Sequence, residues 1–110
     1  MTYQHKTLAA GRWNLLSFTE QMANIGSEIE RTISWKKKGR EEISGRAFER
    51  ALELLDLTAA DSKNRSRLRE LLRVREAMSD HFVFDNTYQS TQENWQRYFG
   101  SFLIAARGRR

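Results

Sequence analysis

The stretch SFTEQMANIGSEIERTISWKKKG, residues 17–39, decides the fold class of this chain. Ser17 and Glu20 have the spacing of a capping box, in which each side chain satisfies a backbone N–H of the other residue. The apolar side chains recur every three or four positions, which places them on one face of an α-helix. They are Phe18, Met22, Ile25, Ile29 and Ile33. The lysines suit the C-terminal end of a helix dipole, and Gly39 can adopt the left-handed conformation that ends a helix.

Three further segments show the same helical periodicity. The second predicted helix runs from about Arg40 to Leu57 and is apolar over half of its circumference, which predicts a central position or an interface. The third runs from about Arg65 to Phe82, with an apolar face of Leu68, Leu71, Leu72, Met78 and Phe82. The fourth begins at a second capping box, Ser90 to Glu93, and its apolar face includes Trp95, Phe99 and Phe102.

The whole chain, residues 1–110, is predicted to be one domain. The sequence contains no proline, the strongest helix breaker, so long helices with short connections are expected. Residues 1–16 can add a short extra helix, and residues 107–110 form a basic tail. The predicted architecture is all-α, an antiparallel four-helix bundle.

Composition limits the classes of function. There is no cysteine, which excludes a disulfide framework and a cysteine nucleophile and fits a cytoplasmic location. The apolar runs are far shorter than the roughly 20 residues that span a bilayer, and the N-terminus has no apolar core of signal-peptide length. The two histidines, His5 and His81, lack metal-ligand spacing, and there is no glycine-rich nucleotide loop. We therefore expect no metal, no cofactor and no membrane.

The net charge of +5 is concentrated partly around the third predicted helix. Arg65, Arg69 and Arg73 are spaced four residues apart and share one side of that helix, with Lys63 just before it. Such a stripe can follow the phosphates of RNA or DNA. The alternative is a solvated helix face, which is the commoner meaning of a charge run.

Arg75 falls within the apolar face of the third predicted helix. A buried guanidinium must find a carboxylate, line a cavity or face another subunit. His81 follows six residues later, so the segment reads Arg, five residues, His.

In this motif the chain resembles the HEPN family of small helical bundles, many of which cleave RNA without a metal. The resemblance implies Arg75 and His81 as a catalytic pair, with Asp80 as a polar neighbour. An arginine would stabilise charge on the phosphorane, and a histidine would move protons during attack by the 2′-OH. Other members of the family are inactive and serve as antitoxins or as partners of small nucleotidyltransferases.

Two functions follow from these observations. The first is a small basic helical-bundle adaptor that forms a homo-oligomer and binds a partner protein, such as a nucleic-acid-handling enzyme, or RNA, without catalysis. Ile104 supports it, since it points away from the apolar face of the fourth helix. The alternative is a HEPN-type metal-independent ribonuclease toxin, or its antitoxin-associated homologue, acting through Arg75 and His81. The aromatic segment from His81 to Tyr88 can either stack bases or close the end of the bundle.

Overall fold

A computed structural model describes residues 11–108, and this part of the chain is all-helical, with no strand. The helices are α1 (Phe18–Lys37), α2 (Glu41–Ala60), a 3-10 helix (Ser62–Arg67), α3 (Leu68–Phe82) and α4 (Gln92–Arg107). Residues 11–13 are also helical. The predictions for residues 1–10, including His5, and for residues 109 and 110 lie outside the described range.

The predicted ends of α1 are confirmed. The Ser17 hydroxyl accepts a hydrogen bond from the Glu20 amide at 3.1 Å, and the Ser17 amide donates to the Glu20 carboxylate at 2.9 Å. Gly39 has a φ of +76°, the left-handed conformation that glycine adopts without steric cost.

Two other predicted starts are wrong. Helix α4 begins one residue later than predicted, because its capping box pairs Thr91 with Asn94 instead of Ser90 with Glu93. Helix α2 continues to Ala60, and Asp61 caps a 3-10 helix whose tighter turn includes Arg65. The α-helical part of the third predicted helix therefore begins only at Leu68.

Helices α1 and α2 are the two inner helices. Helix α1 packs along both α2 and α4, while α3 packs against α2. The predicted apolar face of α1 is confirmed, because Met22, Ile25, Ile29 and Ile33 are all buried. The wide apolar arc of α2 is largely used within the chain: Phe48, Ala51 and Leu55 are buried, and Leu52 and Leu54 pack partly buried against the same core.

Side chains join α3 to α4 across the open side of this arrangement. The Tyr98 hydroxyl donates to the Glu70 carboxylate at 2.8 Å, and the rings of Trp95 and Phe82 lie 6.4 Å apart. Burial is the largest cause of the raised pKa of Tyr98, and the hydrogen bond to Glu70 is the second. At neutral pH the phenol thus stays protonated and able to donate.

A buried polar network fixes the chain that enters α1 and the chain that leaves α2. The Gln21 side-chain amide donates to the Trp13 carbonyl at 3.0 Å and to the Asp61 carboxylate at 2.9 Å. Asn64 donates to the Gln21 side chain at 2.8 Å, and the Trp13 indole donates to the Thr58 hydroxyl at 2.9 Å. Buried polar groups that are fully paired specify one arrangement, because any alternative leaves a desolvated group without a partner.

Candidate interaction site

The outward face of α3 exposes apolar side chains that periodicity alone would bury. Leu71, Val74 and Met78 face the core, whereas Leu68 and Leu72 are 39% and 53% exposed. Of the predicted apolar face, Leu71, Met78 and Phe82 pack in the core as predicted, and the prediction is wrong for Leu68 and Leu72. The helix carries two apolar rows on adjacent sides, and only one of them meets α2.

The loop after α3 is held in place by the end of that helix. The Asp80 carboxylate accepts hydrogen bonds from the backbone amides of Thr87 at 2.8 Å and of Tyr88 at 3.0 Å. The bond from the Tyr88 amide is the main cause that lowers the pKa of Asp80. Asn86 has a φ of 54°, and its side chain donates a hydrogen bond to the Ser90 carbonyl and accepts one from the Ser90 amide. This loop presents Phe84, which is 71% exposed, from a fixed frame.

An open groove lies between α3 and this loop. Its volume is about 620 Å³. One wall is fixed by the Tyr88 hydroxyl, which donates to the Glu76 carboxylate at 3.1 Å. That hydrogen bond raises the pKa of Tyr88. The lining residues are Leu72, Arg75, Glu76, Ser79, Asp80, Phe84, Thr87 and Tyr88.

Arg75 lies in this groove and is not a buried charge. Its Nε donates to Asp56 Oδ1 at 2.8 Å, and its Nη2 to Asp56 Oδ2 at 3.4 Å. The hydrogen bond to Asp56 is the first cause of the raised pKa of Arg75. The Arg75 side chain is 43% exposed and the Asp56 side chain 57%. The expected burial of Arg75 is thus wrong, although the residue does find a carboxylate and line a cavity. An exposed pair of this kind stabilises a fold by less than about 1 kcal/mol.

His81 lines a different cavity from the groove that Arg75 lines. The centre of its ring lies 4.6 Å from the centre of the Phe82 ring and 6.3 Å from the centre of the Trp95 ring. The cavity that it lines is formed with the end of α1 and the start of α4. The structure therefore does not bring Arg75 and His81 together in one cleft of a single chain. The aromatic segment is divided in the same way: Phe82 packs on Phe48 at 5.3 Å, whereas Phe84 is exposed.

The residues predicted to bind nucleic acid differ in their surroundings. Arg65, Arg69 and Arg73 are exposed, and none of them has an ion pair within residues 11–108. Arg65 lies in the 3-10 helix, so it does not continue the regular stripe of the other two. The Lys63 ammonium is already engaged by the Asp61 carboxylate, and it also donates to the Asn14 carbonyl at 3.1 Å.

Sequence reasoning missed the groove, although a signal for it was present. The apolar residues Val83 and Phe84 continue directly after the end of α3, next to the turn-forming Asp85 and Asn86. Apolar residues in a short polar connection either pack against the fold or form part of an exposed interaction surface. Their burial could not be judged without knowing the path of the loop.

The described residues contain no group of three or more His, Asp or Glu placed to hold a metal ion. Nor is any helix among them both long and apolar enough to cross a membrane. Searches of protein-family models, curated proteins and solved structures find no match to this chain. The resemblance to the HEPN family thus stays a prediction from sequence.

Proposed function

We propose that this chain is a small basic four-helix-bundle adaptor that self-associates, binds a partner protein or RNA, and has no catalysis of its own. The observation that carries the proposal is the groove of α3 and its loop. Leu72, Phe84 and Tyr88 are all more than half exposed around it, on a frame fixed by hydrogen bonds. Contiguous apolar surface of this kind marks an interaction site.

A second copy of the chain is the occupant that fits this surface best. The same face has both a recess and a projecting ring, Phe84, so two copies related by a two-fold axis can each place the ring into the groove of the other. The exposed charges of α3 favour this arrangement as well. Arg69 and Arg73 lie in its first half, and Glu76 lies in the second. An antiparallel pair of α3 helices then places basic groups opposite acidic ones.

The antiparallel arrangement defines a register. Arg69 and Glu76 are seven residues apart, which is two helical turns, so both lie on nearly the same side of α3. A two-fold axis beside Leu72 places Arg69 of one copy opposite Glu76 of the second copy. Such rim pairs contribute more to orientation than to affinity, and the apolar side chains at the centre supply most of the binding energy.

Charge reversal tests this register directly. Light scattering of the parent protein at micromolar concentration should give twice the 13.0 kDa of one chain. Arg69→Glu and Glu76→Arg should each weaken the dimer, and the double variant should restore part of it, because both rim pairs are rebuilt with opposite sign although Tyr88 loses its acceptor on Glu76. A double variant that is weaker than either single variant would contradict the register.

A matched pair of apolar variants locates the interface. Phe84 and Ile104 are almost equally exposed, at 71% and 73%, but only Phe84 lies at the groove. Phe84→Ser should produce a monomer, and Ile104→Ser should leave the dimer unchanged. The opposite result would move the interface to α4, and a monomeric parent would refute self-association.

The ribonuclease alternative is tested by activity. Because Arg75 and His81 line separate cavities, we expect no RNA cleavage that depends on His81 when the protein is incubated with RNA in the presence of a chelator. Metal-independent cleavage that disappears in both His81→Ala and Arg75→Ala would overturn the non-catalytic proposal. In that case the two residues would have to meet across the dimer.

A further inference from the structure

We propose that the cavity between the end of α1, the end of α3 and the start of α4 binds a phosphate group. This inference is independent of self-association, since the cavity shares no lining residue with the groove of Phe84. Its volume is about 290 Å³. It is lined by Ile33, Lys36, Lys37, His81, Phe82 and Gln92.

The charge of the lining selects an anion. Two lysines, Lys36 and Lys37, are among the residues that line this cavity, and none of the lining residues carries a carboxylate. The carbonyl groups at the end of α1 attract lysines to some extent, but they do not explain why a cavity forms around them. Lysine binds phosphate as a compact charge, without the planar geometry that arginine imposes.

His81 supplies a hydrogen-bond donor on the opposite wall. Its Nδ1 is buried without a hydrogen-bond partner in the described part of the chain, whereas Nε2 is not buried in this way. A buried N–H without an acceptor is more costly than a bare nitrogen, so the neutral ring favours the tautomer with its proton on Nε2. That nitrogen then donates to an anion in the cavity.

The start of α4, at Gln92, adds uncharged backbone N–H donors on a third side of the cavity. It is the first residue of α4, and the capping box uses the Asn94 amide but not those of the first two helical residues. Backbone amides at a helix start favour negative charge. With a volume of about 290 Å³, the cavity has room for a phosphate group. The phosphate can be free in solution or part of an RNA backbone, because the recognised chemistry is the same.

The test uses two double variants with the same change in charge. Lys36→Gln with Lys37→Gln removes both cations of the cavity. Lys38→Gln with Arg40→Gln removes two cations that lie over the Trp35 ring, at 4.8 Å and 5.9 Å from its centre. Binding of inorganic phosphate is measured by NMR titration, and binding of a short single-stranded RNA by fluorescence anisotropy at several salt concentrations.

For the cavity variant we expect at least about tenfold weaker binding and a salt slope reduced by about two, with little change in the control. His81→Phe keeps a ring against Phe82 and Trp95 but removes the donor, and it should weaken binding with all lysines present. Phosphate binding that is lost in the cavity variant supports a free phosphate as ligand, and RNA binding that is lost there without any phosphate binding by the parent supports a backbone phosphate. Equal losses in the two double variants, or no binding of either probe at low salt, overturn the proposal.

Discussion

At Gly26, helix α1 approaches α4 so closely that a side chain has no room. A Cβ added there would lie 2.7 Å from the Cβ of Phe99, an atom next to the backbone that cannot move aside cheaply. Overpacking of this kind costs about 1–3 kcal/mol, more than the 0.5–1 kcal/mol or so by which alanine exceeds glycine in a helix. We expect Gly26→Ala to lower the free energy of unfolding, measured with urea.

Gly45 provides the matched control for this substitution. It also lies inside a helix, but an added Cβ meets no atom within 4 Å. Gly45→Ala should therefore raise the free energy of unfolding by about 0.5–1 kcal/mol. Stabilisation of both variants would contradict the close contact between Gly26 of α1 and Phe99 of α4.

Asp61 is the carboxylate through which the buried polar network should respond to pH. Burial alone would raise its pKa, but hydrogen bonds from Lys63 and Gln21 outweigh burial and lower the pKa below the usual 3.8. Its contribution to stability is thus complete above pH 3.8 and is lost as the pH falls through the lowered value. Asp61→Asn should cost about 1–3 kcal/mol at neutral pH, and the difference from the parent should shrink in acid.

Urea unfolding of both proteins at neutral and acidic pH measures this difference. Asp85→Asn serves as the control, since Asp85 is exposed and has no ion pair among the described residues. A difference between parent and Asp61→Asn that grows as the pH falls would show that Asp61 is not bound in its charged form.

At the scale of helices, the two ends of α1 could be predicted from the sequence, whereas the orientation of α3 about its own axis could not. The capping box at Ser17 and the turn at Gly39 involve only neighbours in sequence and were predicted correctly, whereas the equally local capping box predicted at Ser90 lies one residue later, at Thr91. The direction of α3 depends on which of its two apolar rows meets α2, a choice made by packing between distant segments. The network of Gln21 and Asn64 joins residues 43 positions apart, which no local pattern can indicate.

The candidate site was predictable only in its residue types. Arginine, histidine and lysine in this region drew attention to α3 and its flanks. Arg75 was nevertheless expected to be buried in an apolar face. The angular position of a residue on its own helix does not reveal which carboxylate on a neighbouring helix, here α2, will lie beside it. Asp56 lies 19 positions earlier, and only the packing of α3 on α2 brings the two together.

The basic stripe beside α3 makes a prediction about salt dependence. Arg69 and Arg73 are exposed on one α-helix, whereas the Lys63 ammonium is engaged by Asp61. In RNA binding, Arg73→Gln should lower the slope of log affinity against log salt by about one, and Arg69→Gln should lower it by less, because Arg69 faces Glu76 of the second copy in the proposed dimer. Lys63→Gln should leave that slope unchanged and should lower stability instead. An unchanged slope in both arginine variants would identify the stripe as a solvated face.

At the scale of the whole molecule, self-association should be visible in thermal stability. A dimer that dissociates before or during unfolding is stabilised by mass action, so its midpoint temperature rises with protein concentration. The helical part of each chain has its own buried core, built mainly around α1 and α2, and should remain folded as a monomer.

We therefore expect the midpoint of the parent, followed by far-ultraviolet circular dichroism, to rise over a hundredfold range of concentration. Phe84→Ser should unfold at a concentration-independent temperature, equal to that of the parent at its lowest concentration, because an exposed ring contributes little to the fold of one chain. Ile104→Ser should keep the concentration dependence of the parent. A parent midpoint that does not move with concentration would mean that the groove faces solvent, and the surface of Phe84 would then be free for a different protein.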